Sequence, residues 1–338
     1  HLLSRRQRQM CIRDRALHAM AQQGNTPFGV YVTSPDYLGG VQDIPALAAV
    51  CRAQGVPLLV DNAHGAYLRF LPQNCHPIAQ GAAMCCDSAH KTLPVVTGGA
   101  YLHLGHNAPV QDEAAVRGAL ALFGSTSPSY LILQSLDACN AVLAGDYPRR
   151  LVQCCAALEG LRRSLNKAAA ARQCPVPLAV AGAQQEPMKL TLDAAALGCT
   201  GTALADALRR AQLECEYADP RYVVLMFTPE NPPQDFERLQ TALEQLLAAV
   251  PAGLSRPENR AGEFAALQQQ AAQRCTIRQA VLGAQVRVPV HKALGRVCAM
   301  PTVSCPPAIP VAVSGEEITP AAIVLMQRYG IEELSVLR

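Results

Sequence analysis

Long apolar runs, an excess of charge and paired metal-type cysteines are all missing from this 338-residue chain. Each absence removes a class of function. No apolar stretch approaches the roughly 18 residues that a bilayer-crossing helix needs, so the chain reads as soluble. Charged residues make up 16% of it and the formal net charge is +3, too little for a surface that gathers nucleic acid or anionic lipid. Cysteine is plentiful at 14, yet no CxxC occurs, and adjacent pairs stand instead at Cys85/Cys86 and Cys154/Cys155. Neighbouring cysteines rarely bridge each other, and zinc sites favour a two-residue gap. The expectation is reduced thiols in the cytoplasm and no metal site. There is no internal repeat. What is present is a half-hydrophobic chain long enough for two or three domains.

The first fifteen residues, HLLSRRQRQMCIRDR, carry five arginines and no hydrophobic periodicity. A targeting peptide would fit, but QRQMCIRDR fits translated sequencing adaptor better. Residues 1–15 are therefore expected to be non-native and the chain a fragment.

From Ala16 strand and helix alternate. FGVYVTSP (28–35) reads as a strand closed by proline, and DIPALAAVCRAQG (43–55) as an amphipathic helix with an acidic start and a glycine stop. VPLLVD (56–61), AAMCCDS (82–88) and GAYLHL (99–104) read as further strands. That order predicts an α/β fold with a mostly parallel sheet covered by helices. Ligands of such sheets bind at the carboxyl ends of the strands. Residues 109–170 read as mainly helical, with STSPSY (125–130) as a cap and turn. A second α/β unit follows, with strands at 188–193 and 221–228 and helices at 202–212 and 232–250. Residues 251–263 read as a linker. The expected division is 16–145, 146–250 and a terminal α+β unit at 251–338.

Lys91 lies thirty positions after Asp61, and both fall at carboxyl ends of predicted strands. A lysine at the mouth of a core is costly unless it is paired, solvated or used as a neutral nucleophile. A desolvated amine can form a Schiff base with an aldehyde cofactor. A carboxylate at a neighbouring strand end can hold a pyridine nitrogen protonated. The pair suits pyridoxal phosphate. The same spacing also fits a helix cap and a solvated surface lysine.

Three segments in order, TSPDYLGGVQDIPALAAVCRAQGVPLLVDNAHGAYLRF, DSAHKTLPVVTGGAYLHL and STSPSYLILQSLD, resemble the ornithine/lysine/arginine decarboxylase family. The similarity continues through ADPRYVVLMFTPEN and CPPAIPVAVSGEEI and covers nearly everything after residue 25. Members are pyridoxal phosphate enzymes of the aspartate-aminotransferase fold, fold type I. The resemblance implies that Lys91 is the Schiff-base lysine and Asp61 the partner of the ring nitrogen, with Ala63 packed against the ring where only a small side chain fits. It assigns Ser88 to the cofactor phosphate as a hydroxyl donor and His90 as a polar or cationic contact. His64 becomes a contact of the substrate carboxylate or the ring, or else a hydrogen-bonded turn histidine. Active sites shared between subunits imply a homodimer or larger assembly, in which Ser125, Thr126 and Ser127 reach the neighbour's phosphate. Ser127 before Pro128 also reads as an ordinary helix start.

The activity implied is α-decarboxylation of arginine, lysine or ornithine, with a lean towards the first two and with Lys91 or His64 returning the proton. Glu316 or Glu317 would meet a cationic substrate tail, or simply be solvated. The family's phosphate loop and its ring-stacking residue are not recognisable in residues 1–27, so the fragment is expected to lack one wall of its site. Where some members carry a glutamine after the lysine, this chain has TGGAYLH. Two rivals stay open. An aminotransferase or lyase of the same fold would keep Lys91 and Asp61 and add a carboxylate clamp, for which Arg221 is placed. A non-catalytic relative would hold cofactor or a partner without turnover.

Overall fold

The computed structural model describes residues 17–20, 22, 24, 26–125, 127–178, 185–251, 254, 271–300, 302–304 and 309–338. The arginine-rich segment 1–15, Thr126 and most of the expected linker lie outside the described residues. Contacts group the chain into two compact units, one of residues 1–164, 180–190 and 226–240 and the other of 165–179, 191–225 and 241–338.

In the first unit, strands β1 (Val30–Thr33), β2 (Leu58–Asp61), β3 (Met84–Asp87) and β4 (Tyr101–Leu104) form a sheet in that order. The first three run parallel and β4 antiparallel to β3. Between β1 and β2 lies helix α1 (Ile44–Ala53). Its start is written locally, because the Asp43 carboxylate accepts the Ala46 amide at 3.3 Å and proline occupies the first turn. Ile44, Leu47, Ala48 and Cys51 follow at helical spacing and are buried against Leu58 and Val60 of β2. Gly55, at φ 66°, then turns the chain into β2.

The reversed β4 goes with a connection that carries no full helix. Residues 88–100 hold one helical turn, α2 (Ala89–Thr92), and a turn at Gly98 with φ 101°. A parallel return is usually carried by a full crossover helix; this connection holds only one helical turn, and the chain doubles back.

Helices α3 (Glu113–Ala121), α4 (Tyr130–Ala144) and α5 (Tyr147–Ala171) follow. The turn between α3 and α4 corrects one expectation: Ser129, not Ser127, stands at the N-cap of α4. The Ser127 amide instead donates to the Ser125 hydroxyl at 3.1 Å.

Strands β5 (Lys189–Asp193), β6 (Tyr217–Ala218) and β7 (Tyr222–Met226) form a sheet ordered β5-β7-β6, with helices α6 (Gly201–Arg210) and α7 (Pro233–Ala249). Thr200 caps α6 by accepting the Ala203 amide at 3.2 Å. The last stretch comprises α8 (Ile277–Leu282), β8 (Gln285–Pro289), β9 (Thr302–Ser304), β10 (Ile309–Ala312), α9 (Pro320–Arg328) and β11 (Glu333–Leu337). It closes around Val290, Cys298, Ile318, Met326 and Val336, with β8 and β11 paired antiparallel. No helix among the described residues is long and apolar enough to cross a membrane.

Candidate active site

Asp61 is the last residue of β2 and sits in register with Cys86 of parallel β3. The two strands therefore end on one edge of the sheet, and the Ser88–Lys91 segment leaves from the edge that carries Asp61. The Asp61 carboxylate accepts the Ala63 amide at 3.0 Å, which bends the chain into the DNAHG turn. Gly65 is required there: a Cβ at this position would stand 2.0 Å from the Asn62 side-chain oxygen. On the Asp61 face of the sheet, partial burial and then the negative charge of Asp61 push the Tyr31 hydroxyl up to about 12.

The same turn delivers His64, 3% exposed, to Lys91. His64 Nε2 lies 3.2 Å from Lys91 Nζ. An ammonium can only donate, so Nε2 accepts and the ring proton sits on Nδ1. Nδ1 is buried and has no hydrogen-bond partner among the described residues. The ring is held by Tyr37, edge-on at 5.1 Å. Burial first, then the charges of Lys189, Lys91 and His90, lower its pKa to about 3, so it is a neutral imidazole at any ordinary pH. Lys91 itself is exposed and, among the described residues, has no carboxylate within ion-pairing distance.

Ser88 occupies the N-cap of α2 but makes no side-chain capping bond, so its hydroxyl is not spent on its own helix. His90 is oriented by Gly99, whose carbonyl lies 2.9 Å from Nδ1 and accepts its proton. The remaining nitrogen, Nε2, accepts in the neutral ring and donates only in the imidazolium. Ser125 and Ser127 lie in the exposed α3–α4 turn, where they bond each other, and no described contact joins them to the Asp61–Lys91 group. Thr126 lies outside the described residues.

A buried ionic group supports the site. Lys189, fully buried, donates to the carbonyls of Asp36 and Tyr37 at 3.2 Å each and lies 4.0 Å from Glu186. Glu186 also accepts from the Tyr67 hydroxyl and the Met188 amide. Burial raises its pKa. This group fixes the loop that presents Tyr37 to His64. The sequence reading gave no role to Tyr31, Tyr37 or Lys189, since Tyr31 and Lys189 stand in segments read only as strands and Tyr37 in a matching segment where no function was assigned to it.

Arg221, the residue considered for a carboxylate clamp, is engaged elsewhere. Its guanidinium bonds both oxygens of buried Asp193 at 3.3 and 3.1 Å and stacks on Tyr222. A fork already filled by a carboxylate offers little to a second one.

These residues fit a pyridine aldehyde phosphate. An amine without a carboxylate partner, a strand-end carboxylate on the same sheet edge, an alanine between them in sequence and an orphaned buried imidazole N–H are the groups such a cofactor and an amino-acid substrate would use.

The chain is 28% identical over 302 residues to an arginine decarboxylase of Bacillus subtilis, covering 86% of this chain and 59% of that one. Its fold is similar to a lysine decarboxylase of Francisella novicida, with TM-score 0.71 at 17% identity, covering 96% of this chain and 60% of the other. The constitutive lysine decarboxylase of E. coli gives TM-score 0.67 at 18% identity over the same shares, 96% and 60%. The chain thus spans less than two thirds of the length of these relatives, and its architecture is the α/β fold type I of pyridoxal phosphate enzymes. The model of the family described as "Orn/Lys/Arg decarboxylase, major domain" matches residues 5–234, and the chain belongs to that family.

Proposed function

We propose that this chain forms part of a pyridoxal phosphate-dependent decarboxylase that converts a basic amino acid, arginine or lysine in preference to ornithine, to its amine and carbon dioxide. The observation that carries the reading is the meeting of Lys91 with His64 on the sheet edge where Asp61 ends β2. The arginine and lysine decarboxylases it is similar to support the substrate class.

When bound, the cofactor supplies an electron sink for the bond between Cα and the carboxylate. Lys91 would hold the cofactor through its amine. Asp61 keeps the ring nitrogen protonated, and Ala63 leaves room for the ring plane. Ser88 offers its hydroxyl to the phosphate, and His90 adds a hydrogen bond when its second nitrogen is protonated. His64, neutral and carrying its proton on Nδ1, donates to a carboxylate without the cost of a buried charge. Because Lys91 and His64 share a hydrogen bond, either can return the proton to Cα.

The site is completed by a second copy of the chain. The α3–α4 turn carries Leu122, Phe123, Tyr130 and Leu131 at 78%, 93%, 85% and 64% exposure, an apolar set that a partner subunit would cover. Ser125 and Ser127 in that turn then reach the neighbour's phosphate. The free thiols fit the cytoplasm.

Product analysis with arginine, lysine and ornithine tests the reaction. Amine and carbon dioxide in equal amounts support it. A keto acid would favour the aminotransferase reading, and cofactor binding without turnover would favour a non-catalytic relative.

A further inference from the structure

The opposite face of β3 and β4 holds a second cluster of chemistry-bearing side chains. Alternation along β3 sends Cys85 and Asp87 away from Cys86 and Asp61. The antiparallel register then sets His103 of β4 beside Cys85. His76, from the loop before β3, closes the group. His76 Nε2 lies 3.0 Å and His103 Nε2 2.9 Å from the same Asp87 oxygen, Oδ2. Cys85 Sγ lies 3.4 Å from Asp87 Oδ1 and 3.9 Å from His76 Nε2. Cys85, Asp87 and His76 are buried, whereas the His103 side chain is 37% exposed. A cavity of about 630 Å³, lined also by Asn74, Tyr101 and Asn140, opens onto His76, Asp87 and His103.

We propose that Cys85, Asp87, His76 and His103 form a binding site for one divalent transition-metal ion of the zinc type.

Two imidazoles, a carboxylate and a thiol are the mixed nitrogen, oxygen and sulfur donors that zinc takes. With bonds of roughly 2.0–2.3 Å, the donor atoms of a tetrahedral site stand about 3.3–3.8 Å apart. The donor atoms of Cys85, Asp87 and His76 already lie within 4.8 Å of one another, so modest side-chain shifts admit the ion among these three; His103 stands farther from that set and joins as the fourth donor only by a larger turn of its partly exposed side chain. The carboxylate is oriented for the task, since Asn62 donates to Oδ1 at 2.7 Å and leaves Oδ2 facing both imidazoles. The cavity gives an entry path past His103. Bonds to the ion replace the hydrogen bonds that His76, His103 and Cys85 make to Asp87, and the Ile78 amide, 3.3 Å from His76 Nδ1, faces a protonated nitrogen once Nε2 binds metal. The Cys85 thiol releases its proton on binding. An ion held here would clip the His76 loop to β3 and β4 directly behind the Ser88–Lys91 segment, which makes the site structural. It stands whether or not the decarboxylase reading does. No sequence spacing announced it, because its donors come from a loop and two strands.

Titration of the metal-free chain with Co²⁺ is the test. The expected result is a thiolate-to-cobalt charge-transfer band with intense four-coordinate visible bands, saturating at one ion per chain and displaced by Zn²⁺. The Cys85→Ser variant should lose the charge-transfer band, and His103→Ala, a replacement at the exposed ligand, should weaken binding by about tenfold or more. Absence of the band in the unaltered chain overturns the proposal. So does a band that survives in Cys85→Ser, since the chain has other thiols to offer. Should Cys85→Ser fail to fold, unchanged Co²⁺ affinity in His103→Ala overturns it equally.

Discussion

His64 and Lys91, 27 residues apart in sequence, meet with Nε2 and Nζ at 3.2 Å. The contact joins two turns that each follow a parallel strand, so the sheet sets the spacing and the turns only aim the side chains. Burial keeps this histidine neutral, and repulsion from Lys189 and from the Lys91 amine adds to that.

A stability consequence follows for acid. His64 has its pKa lowered from 6.5 to about 3 in the folded chain. Between those values the unfolded chain binds a proton that the folded chain refuses, so stability present above pH 6.5 is lost as the pH falls towards 3. The slope from this one group is at most about 1.4 kcal/mol per pH unit. Urea unfolding at a series of pH values should show a shallower acid slope in His64→Gln, and an identical slope would remove His64 from the account.

Lys189 and Glu186 are buried together, at 0% and 1% side-chain exposure. Lys189→Met strands the Glu186 charge and releases the Tyr37 loop, an expected loss of about 3–5 kcal/mol. The double variant with Glu186→Gln should recover part of it, because the stranded charge is then gone. Chemical denaturation of the three proteins measures the coupling.

Much of this was legible in the sequence, and the reasons are local. Asp43, proline in the first turn, the spaced apolar residues and Gly55 each act within one turn, so α1 could be bounded to within two residues. Asp61 and the Ser88–Lys91 segment were readable because strand ends are marked by a switch from apolar to polar residues. The reversal of β4 was not, since strand direction depends on the path of the connection rather than on the strand's own residues. The His76–Cys85–Asp87–His103 cluster was invisible for a related reason: its members are brought together by register, and register leaves no spacing signature. Tyr31 meets Asp61 across two strands in the same way.

Gly65→Ala tests the turn. A methyl group there would collide with the Asn62 side chain at 2.0 Å, and Asn62 is tied to Asp87. The expected cost is about 1–3 kcal/mol, read as a lower urea midpoint with an unchanged slope. A variant as stable as the parent would show that the turn has room.

Arg221→Gln separates the decarboxylase from the aminotransferase reading. Losing the two bonds to buried Asp193 should lower stability by about 1–3 kcal/mol. Cofactor attachment to Lys91 and the Michaelis constant should stay as they were. A large rise in that constant alone would instead mark Arg221 as a substrate clamp.

The most direct test is borohydride reduction of the cofactor-loaded protein followed by peptide mapping. The account predicts one pyridoxyl group per chain, on Lys91, absent from Lys91→Ala and still present in Asp61→Asn, which should nonetheless lose decarboxylation. A pyridoxyl group on another lysine, or full labelling of Lys91→Ala, would contradict it.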